Sequence, residues 1–340
     1  MESLDERQRA LTLWLKNIAP TDSIRLVPIE GAASFRRYFR VFIRNKTYIA
    51  MDAPPQHENC APYIAIAQAL KRIDVPVPEI FIEDLNQGFL LLSDLGNATY
   101  LRSLNAQNAD ALYGRALKTL ANLQSCRKVD NWNLPLFNDA WMWQEWDWFK
   151  EWFLGHLLQL TLPLPWLQAV ESCFSLIVES AINQPQVFMH RDYHSGNLMV
   201  LPGDRVGVLD FQDAFIGPVT YDLASLLRDC YITWPEERVK AWAIAYWQHL
   251  KNLGVLTHES QRNFLRWFDW MGIQRHFKAL FTFSRKYVRD QQPEYLQHIP
   301  RTLQYIIKVS ERYPETIVFH DYLHGIVQPA FQEAFPPCAR

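Results

Sequence analysis

Glycine is scarce in this chain, with 12 among 340 residues. Neither G-x-x-x-x-G-K-[ST] nor G-x-G-x-x-G occurs, so the P-loop and the dinucleotide fingerprint are both excluded. The five cysteines, Cys60, Cys126, Cys173, Cys230 and Cys338, stand far apart, and there is no C-x-x-C. An odd, scattered set is neither a disulfide framework nor a zinc site. It reads as reduced thiols packed as small hydrophobes in a cytoplasmic protein. No apolar run is long enough to span a bilayer: the most apolar stretch, 152–170, is broken by His156, Gln159, Pro163 and Pro165. The first residues carry both charge signs and do not read as a signal peptide. Nor does one sign of charge dominate. Lys and Arg number 34 against 36 Asp and Glu, which argues against nucleic acid or an anionic membrane as partner. What remains is ordinary globular composition, 49% hydrophobic and 21% charged, at a length that suits about two domains.

The patterning divides the chain. Residues 5–18 place Leu11, Leu13, Trp14, Leu15 and Ile18 at helical spacing. Short runs rich in β-branched and aromatic residues follow at 24–29, 38–43 and 47–51, separated by the turn-like 31–34 and 44–46, and predict an antiparallel meander. A helix near 61–73 and two strand-like runs, 80–83 and 88–93, complete a small β-rich lobe over 1–93. A hinge at 94–98 leads into a large helical lobe, 99–340, with helices near 108–126, 139–158, 166–182, 220–232, 236–251, 260–288 and 294–311. Short strands around polar loops interrupt that lobe at 186–211.

Chemistry concentrates in the interruption. His190-Arg191-Asp192-Tyr193-His194-Ser195-Gly196-Asn197 fits H-R-D-x-x-x-x-N, a phosphotransfer loop in which Asp192 is the base and Asn197 a metal ligand. Twelve residues after Asn197 a short strand closes with Leu209-Asp210-Phe211, where Asp210 is placed to bridge Mg²⁺ to nucleotide phosphates. Phosphoryl transfer asks little covalent help of a protein. It needs a hard cation on the phosphate oxygens and a carboxylate to orient the attacking hydroxyl. Asp, Asn and Gly are also favoured in plain turns, but two such pieces in this order make a catalytic reading much the stronger.

These motifs resemble those of the aminoglycoside phosphotransferase-like kinases. The resemblance extends through Phe35–Val41, Met51–Pro55, Gly88–Gly96, Asp210–Ala214, Gly217–Leu223 and Phe268–His276. It is greatest to one branch, the bacterial anomeric kinases of cell-wall recycling, which phosphorylate N-acetylmuramate and N-acetylglucosamine at the C1 hydroxyl. It implies a two-lobed α+β kinase-like fold with ATP in a cleft between lobes, Asp192 as base, and Asn197 and Asp210 as Mg²⁺ ligands. It further implies Ser93, Asp94 and Leu95 as the adenine-side hinge and Asp222 as a buried brace of the catalytic loop. Two features of the pattern are missing. Where kinases carry a strand lysine, this chain reads Tyr48-Ile49-Ala50-Met51-Asp52, and no acid occurs in 62–70 to partner one. Arg36 or Arg37, with Ser34 in the preceding turn, are the candidates to serve the phosphates instead.

Acceptor-side candidates are Glu145, His194, Asp213 and Arg275. Trp141, Glu145, Trp148 and Trp152 share one helical face, which is core packing or the wall of a sugar pocket. Asp213 either caps a turn or faces substrate. His190 and His194, like His320 and His324, are spaced H-x-x-x-H without the H-E-x-x-H of zinc enzymes, so loop bracing is the better reading. Residues 262–312 hold ten Lys or Arg against four Asp or Glu. That balance suits a solvated face and is poor for a polycationic acceptor, and Arg275 is a cation for a lactyl carboxylate. No A-P-E follows Asp210, which disfavours a protein kinase. The expectation is an ATP- and Mg²⁺-dependent sugar 1-kinase acting on a small molecule. An amino-alcohol or aminoglycoside kinase of the same fold, or a non-catalytic nucleotide-binding scaffold, are the alternatives. Oligomeric state is not legible.

Overall fold

The computed structural model describes residues 2–19, 24–29 and 35–336. Ser34 and Cys338, singled out above, lie outside the described residues, as does the turn at 31–34. The chain forms two compact units, Met1–Thr99 with Lys128–Asn133 and Met199–Asp213, and Tyr100–Arg127 with Leu134–Leu198 and Ala214–Arg340.

In the first unit, α1 (Glu2–Ile18) is followed by β1 (Ile24–Ile29), β2 (Arg37–Ile43) and β3 (Lys46–Asp52), then α2 (Ala61–Arg72), β4 (Ile80–Asp84) and β5 (Phe89–Ser93). The five strands make one antiparallel sheet in the order β1-β2-β3-β5-β4. Leu11, Trp14 and Leu15, spaced i, i+3 and i+4, bury one face of α1 against Phe39, Val41, Ala50, Phe89 and Leu91. At the sheet end Asp52 is fully buried and is held by the guanidinium groups of both Arg7 and Arg37. The paired strands β7 (Leu198–Leu201) and β8 (Arg205–Val208) are joined by Pro202–Asp204. The sequence pattern groups them with the large helical lobe, but the backbone ties them elsewhere. The N–H of Val200 donates to Ala98 O and that of Val208 to Pro76 O, both at 2.8 Å, so 199–213 packs with the first unit.

The second unit begins with a single helical turn, α3 (Tyr100–Ser103), and α4 (Ala109–Gln124). Next come α5 (Asp139–Trp148), which widens into a π-helix over Phe149–Leu157, and α6 (Leu164–Ile182). The strand β6 (Gln186–Met189) pairs antiparallel with β9 (Phe215–Pro218). Sequence patterning misses β9, whose four residues include Gly217 and Pro218, both poor strand formers. Then follow α7 (Tyr221–Leu227), α8 (Glu236–Asn252), α9 (Gln261–Val288), α10 (Ile299–Ser310), α11 (Ile317–Tyr322) and α12 (Gln328–Ala334). The helix expected over 220–232 stops at Leu227, which frees Asp229 to face the loop after β6. Every residue of α9 from Trp267 to Phe277 is buried, so α9 is the central post of this unit and has no solvent face along that stretch. Trp146 stacks on Phe149 and Phe174, and the ring of Phe149 packs on Phe277 of α9.

The packing of α1 makes a direct prediction. Leu15→Ala should destabilise the protein by about 2–5 kcal/mol, because the buried site cannot collapse fully. Leu13→Ala on the exposed face should stay within about 0.5 kcal/mol. Urea denaturation checks this, and equal effects would contradict the assigned face.

Candidate active site

Between β6 and β7 the chain makes a loop that two buried carboxylates hold in shape. The Asp222 carboxylate, one residue into α7, accepts the N–H of His190 at 2.7 Å and that of Arg191 at 2.9 Å. Asp229 accepts both the N–H and the hydroxyl of Ser195, at 2.9 and 2.5 Å. Tyr193 is fully buried and donates its hydroxyl to Ala116 O at 2.8 Å. His190 accepts the N–H of Asp192 at Nδ1, which makes it the loop brace that the spacing suggests. These tethers keep Arg191 in the left-handed region, φ 74°, a conformation that a non-glycine residue holds only when its surroundings impose it. Burial pushes the Asp222 carboxyl up to about 7, and the two N–H donors oppose that shift.

Asp192 sits at the crest of this loop with its side chain 35% exposed. Its Oδ1 accepts the ammonium of Lys278 at 2.7 Å. Surrounding protein disfavours the charge, but Lys278, His194 and Arg191 outweigh that effect and hold Asp192 well below the usual carboxylate range. Asn197 donates its amide nitrogen to Asp192 O at 3.0 Å, which turns its amide oxygen the other way. Arg191 is held in turn by Glu145 at 3.3 Å and lies over the rings of Phe215 and Trp141.

Glu145 is fully buried, and Trp141 Nε1 and Gln274 Nε2 also donate to it, at 3.2 and 2.7 Å. It therefore braces the loop through Arg191, and its carboxylate is already engaged by protein donors. Trp141, Trp148 and Trp152 are partly buried and pack against the core of the unit, as the core reading of the stripe has it. His194 turns back on its own loop: Nδ1 accepts the N–H of Gly196 at 3.2 Å, and its ring lies 5.2 Å from that of Tyr231. Arg275 is buried, with Nη1 donating to Cys230 Sγ at 2.9 Å, so it does not offer a solvent-facing cation for an acceptor carboxylate.

In the first unit, Arg36 pairs with Glu58 at 2.9 Å, and Glu58 also accepts the N–H of Phe35. Both side chains are mostly buried. Burial raises the Tyr38 phenol; the Arg36 guanidinium opposes that shift, and Asp210, Glu58 and Cys60 add to it. Asp210 follows β8 in the left-handed region, φ 61°, and accepts Gln212 Nε2 at 2.7 Å. The ring of Tyr63 packs on Phe211 at 4.8 Å. Of the two arginines, Arg37 is committed to Asp52 and Arg36 to Glu58. At the hinge, the N–H and hydroxyl of Ser93 both engage Glu79, and the Asp94 carboxylate is held by Arg40. Asp213 is exposed in the turn after Phe211, with no side-chain hydrogen bond among the described residues.

Sequence reasoning missed Lys278, Asp229 and Glu58. Each partner lies far along the chain, 86 residues for the Lys278–Asp192 pair, and no spacing rule connects them. No cluster of three His, Cys, Asp or Glu among the described residues could hold a transition metal. The Asn197 amide oxygen in one unit and the Asp210 carboxylate in the other are each hard oxygen donors of the kind that suits Mg²⁺.

Asp192 and Asn197, on a loop whose Arg191 is held at positive φ, followed by a pair of strands and Asp210, fit the pattern of a phosphotransferase, and the sequence agrees. The phosphotransferase enzyme family matches residues 25–265, and the chain belongs to that family. It is 41% identical over 327 residues to the N-acetylmuramate/N-acetylglucosamine kinase of Pseudomonas putida, covering 93% of this chain and 95% of that one. To the enzyme of the same name from Pseudomonas aeruginosa it is 40% identical over 337 residues, covering 96% and 98%. Among solved structures, the ADP-bound aminoglycoside phosphotransferase APH(2'')-Ib shares the fold at TM-score 0.58 and 15% identity, over 87% of this chain and 97% of that one.

The loop tethers are testable. Asp222→Ala leaves the N–H groups of His190 and Arg191 without their acceptor, at about 1–3 kcal/mol each. Chemical denaturation should show a loss of about 2–5 kcal/mol. A loss below about 0.5 kcal/mol, the range of an inert surface change, would contradict the bracing role.

Proposed function

We propose that the protein transfers the γ-phosphoryl group of ATP to the anomeric C1 hydroxyl of N-acetylmuramate and N-acetylglucosamine. The observation that carries the chemistry is Asp192, ionised, held through Oδ1 and exposed on its other side. The names of relatives that align over nearly the whole chain support the acceptor. In this reading Asp192 takes the hydroxyl proton while the acceptor oxygen bonds to the γ-phosphorus. The bond from phosphorus to the β–γ bridging oxygen breaks, and ADP leaves with that electron pair. An anomeric hydroxyl is more acidic than other sugar hydroxyls, so a carboxylate of modest basicity suffices. Asn197 and Asp210 each offer an oxygen donor to Mg²⁺, which would offset the charge on the phosphate oxygens when bound.

The missing strand lysine has a substitute in Arg36. Glu58 orients its guanidinium, as an acid orients the lysine of other kinases. Arginine suits a phosphate because its planar fork can donate two parallel hydrogen bonds. A cytoplasmic setting fits the thiols of Cys60, Cys126, Cys173 and Cys230, which form no disulfide with one another.

ATP consumption with N-acetylmuramate, N-acetylglucosamine, ethanolamine and an aminoglycoside tests the reading. The two sugars should support turnover and the others should not. Asp192→Asn should lower kcat by about 10²–10⁴-fold with KM for ATP nearly unchanged. Arg36→Ala should instead raise KM for ATP about tenfold or more, the loss of a charge-assisted contact. Turnover confined to ethanolamine or the aminoglycoside, or wild-type kcat in Asp192→Asn, would overturn it.

A further inference from the structure

Lys278 lies in the second half of α9, where the helix passes the catalytic loop. Its side chain is only 12% exposed, and its ammonium meets Asp192 Oδ1 at 2.7 Å. No hydrogen bond reaches the other oxygen, Oδ2, from any described residue, and the Asp192 side chain keeps a third of its surface open. One carboxylate oxygen is therefore clamped and the other is presented.

The same helix holds the neighbouring loop residue. Gln274, one turn before Lys278, donates to Glu145 Oε2 at 2.7 Å, and Glu145 Oε1 accepts Arg191 at 3.3 Å. Two consecutive loop residues are thus referred to one rigid post, Arg191 through Glu145 and Asp192 directly. A buried ion pair is a poor source of stability, because desolvating an ammonium costs about as much as the pairing returns. Its value is geometric. An aspartate with one oxygen fixed by a charge-assisted bond cannot rotate its carboxyl plane away from an incoming hydroxyl, and misplacement by about 1 Å costs about 10²-fold in rate.

We infer that Lys278 is a positioning residue of the transfer step, fixing Oδ1 of Asp192 so that Oδ2 faces the acceptor hydroxyl. The inference rests on the reading of Asp192 as the base.

A double-mutant cycle tests it. Lys278→Met should lower kcat by about 10–10²-fold with KM for ATP unchanged within about twofold. Lys278→Arg, which keeps a donor cation, should recover most of that loss. In an Asp192→Asn background, Lys278→Met should cost less than about threefold, because no carboxylate remains to be oriented. Equal losses in both backgrounds would mean a merely structural role and overturn the inference. So would a Lys278→Met enzyme that keeps more than about a third of wild-type kcat, far short of the loss misplacement predicts. If Lys278→Met fails to fold by circular dichroism, Lys278→Gln carries the same comparison. Should neither sugar support turnover in the wild type, the acceptor assignment falls. Lys278 is then judged by the same cycle on ATP hydrolysis with water as acceptor.

Discussion

Two buried carboxylates, Asp222 in α7 and Asp229 just past its end, hold the loop between β6 and β7, and everything else at the site depends on them. Asp222 takes the N–H groups of His190 and Arg191, and Asp229 takes both donors of Ser195. Between these anchor points the chain has no regular ladder of its own. The anchors let it keep Arg191 at positive φ and set Asp192 at the crest with its carboxylate outward. Without them the strained conformation would relax, since a non-glycine residue does not stay in the left-handed region unsupported.

The cost of this arrangement is polar residues inside the core, and α9 shows how it is met. Gln274 and Arg275 are buried, and Lys278 nearly so, in the helix about which the aromatic core is built. Each of the three makes one such contact, Gln274 to Glu145, Arg275 to Cys230 and Lys278 to Asp192, while Gln274 Oε1 and Arg275 Nε stay buried without a hydrogen bond among the described residues. Most buried polar groups are satisfied in this way. The pairing transmits the rigidity of the core to the loop, so a helix that is structural along most of its length also positions chemistry.

Much of this was legible in the sequence, for stated physical reasons. The meander of β1–β3 shows in its β-branched and aromatic runs, and the buried face of α1 in its helical spacing. The motif spacing put Asp192 and Asn197 on one loop between short strands and Asp210 just past a strand, as the structure has them, and the bracing role of Asp222 followed from family resemblance. What was hidden is long-range. Glu58 pairs with Arg36, and Lys278 with Asp192, across separations that no local pattern encodes. The segment 262–312 offers ten cations, and in a helix buried all round its centre no periodic contrast says which one reaches the loop. The early end of α7 was hidden as well, because it depends on Asp229 turning toward Ser195 and not on the propensity of residues 228–232. Trp146 is the deepest tryptophan of its helix, yet it lies off the stripe of Trp141, Trp148 and Trp152.

The central claim is that this loop activates an anomeric hydroxyl, and the position of the transferred phosphate answers it directly. Phosphorus NMR of the product from N-acetylmuramate, before and after mild acid, reads both the site of attachment and the lability that marks a glycosyl phosphate. The account predicts a 1-phosphate coupled to the anomeric proton that releases inorganic phosphate in acid. An acid-stable 6-phosphate would contradict it.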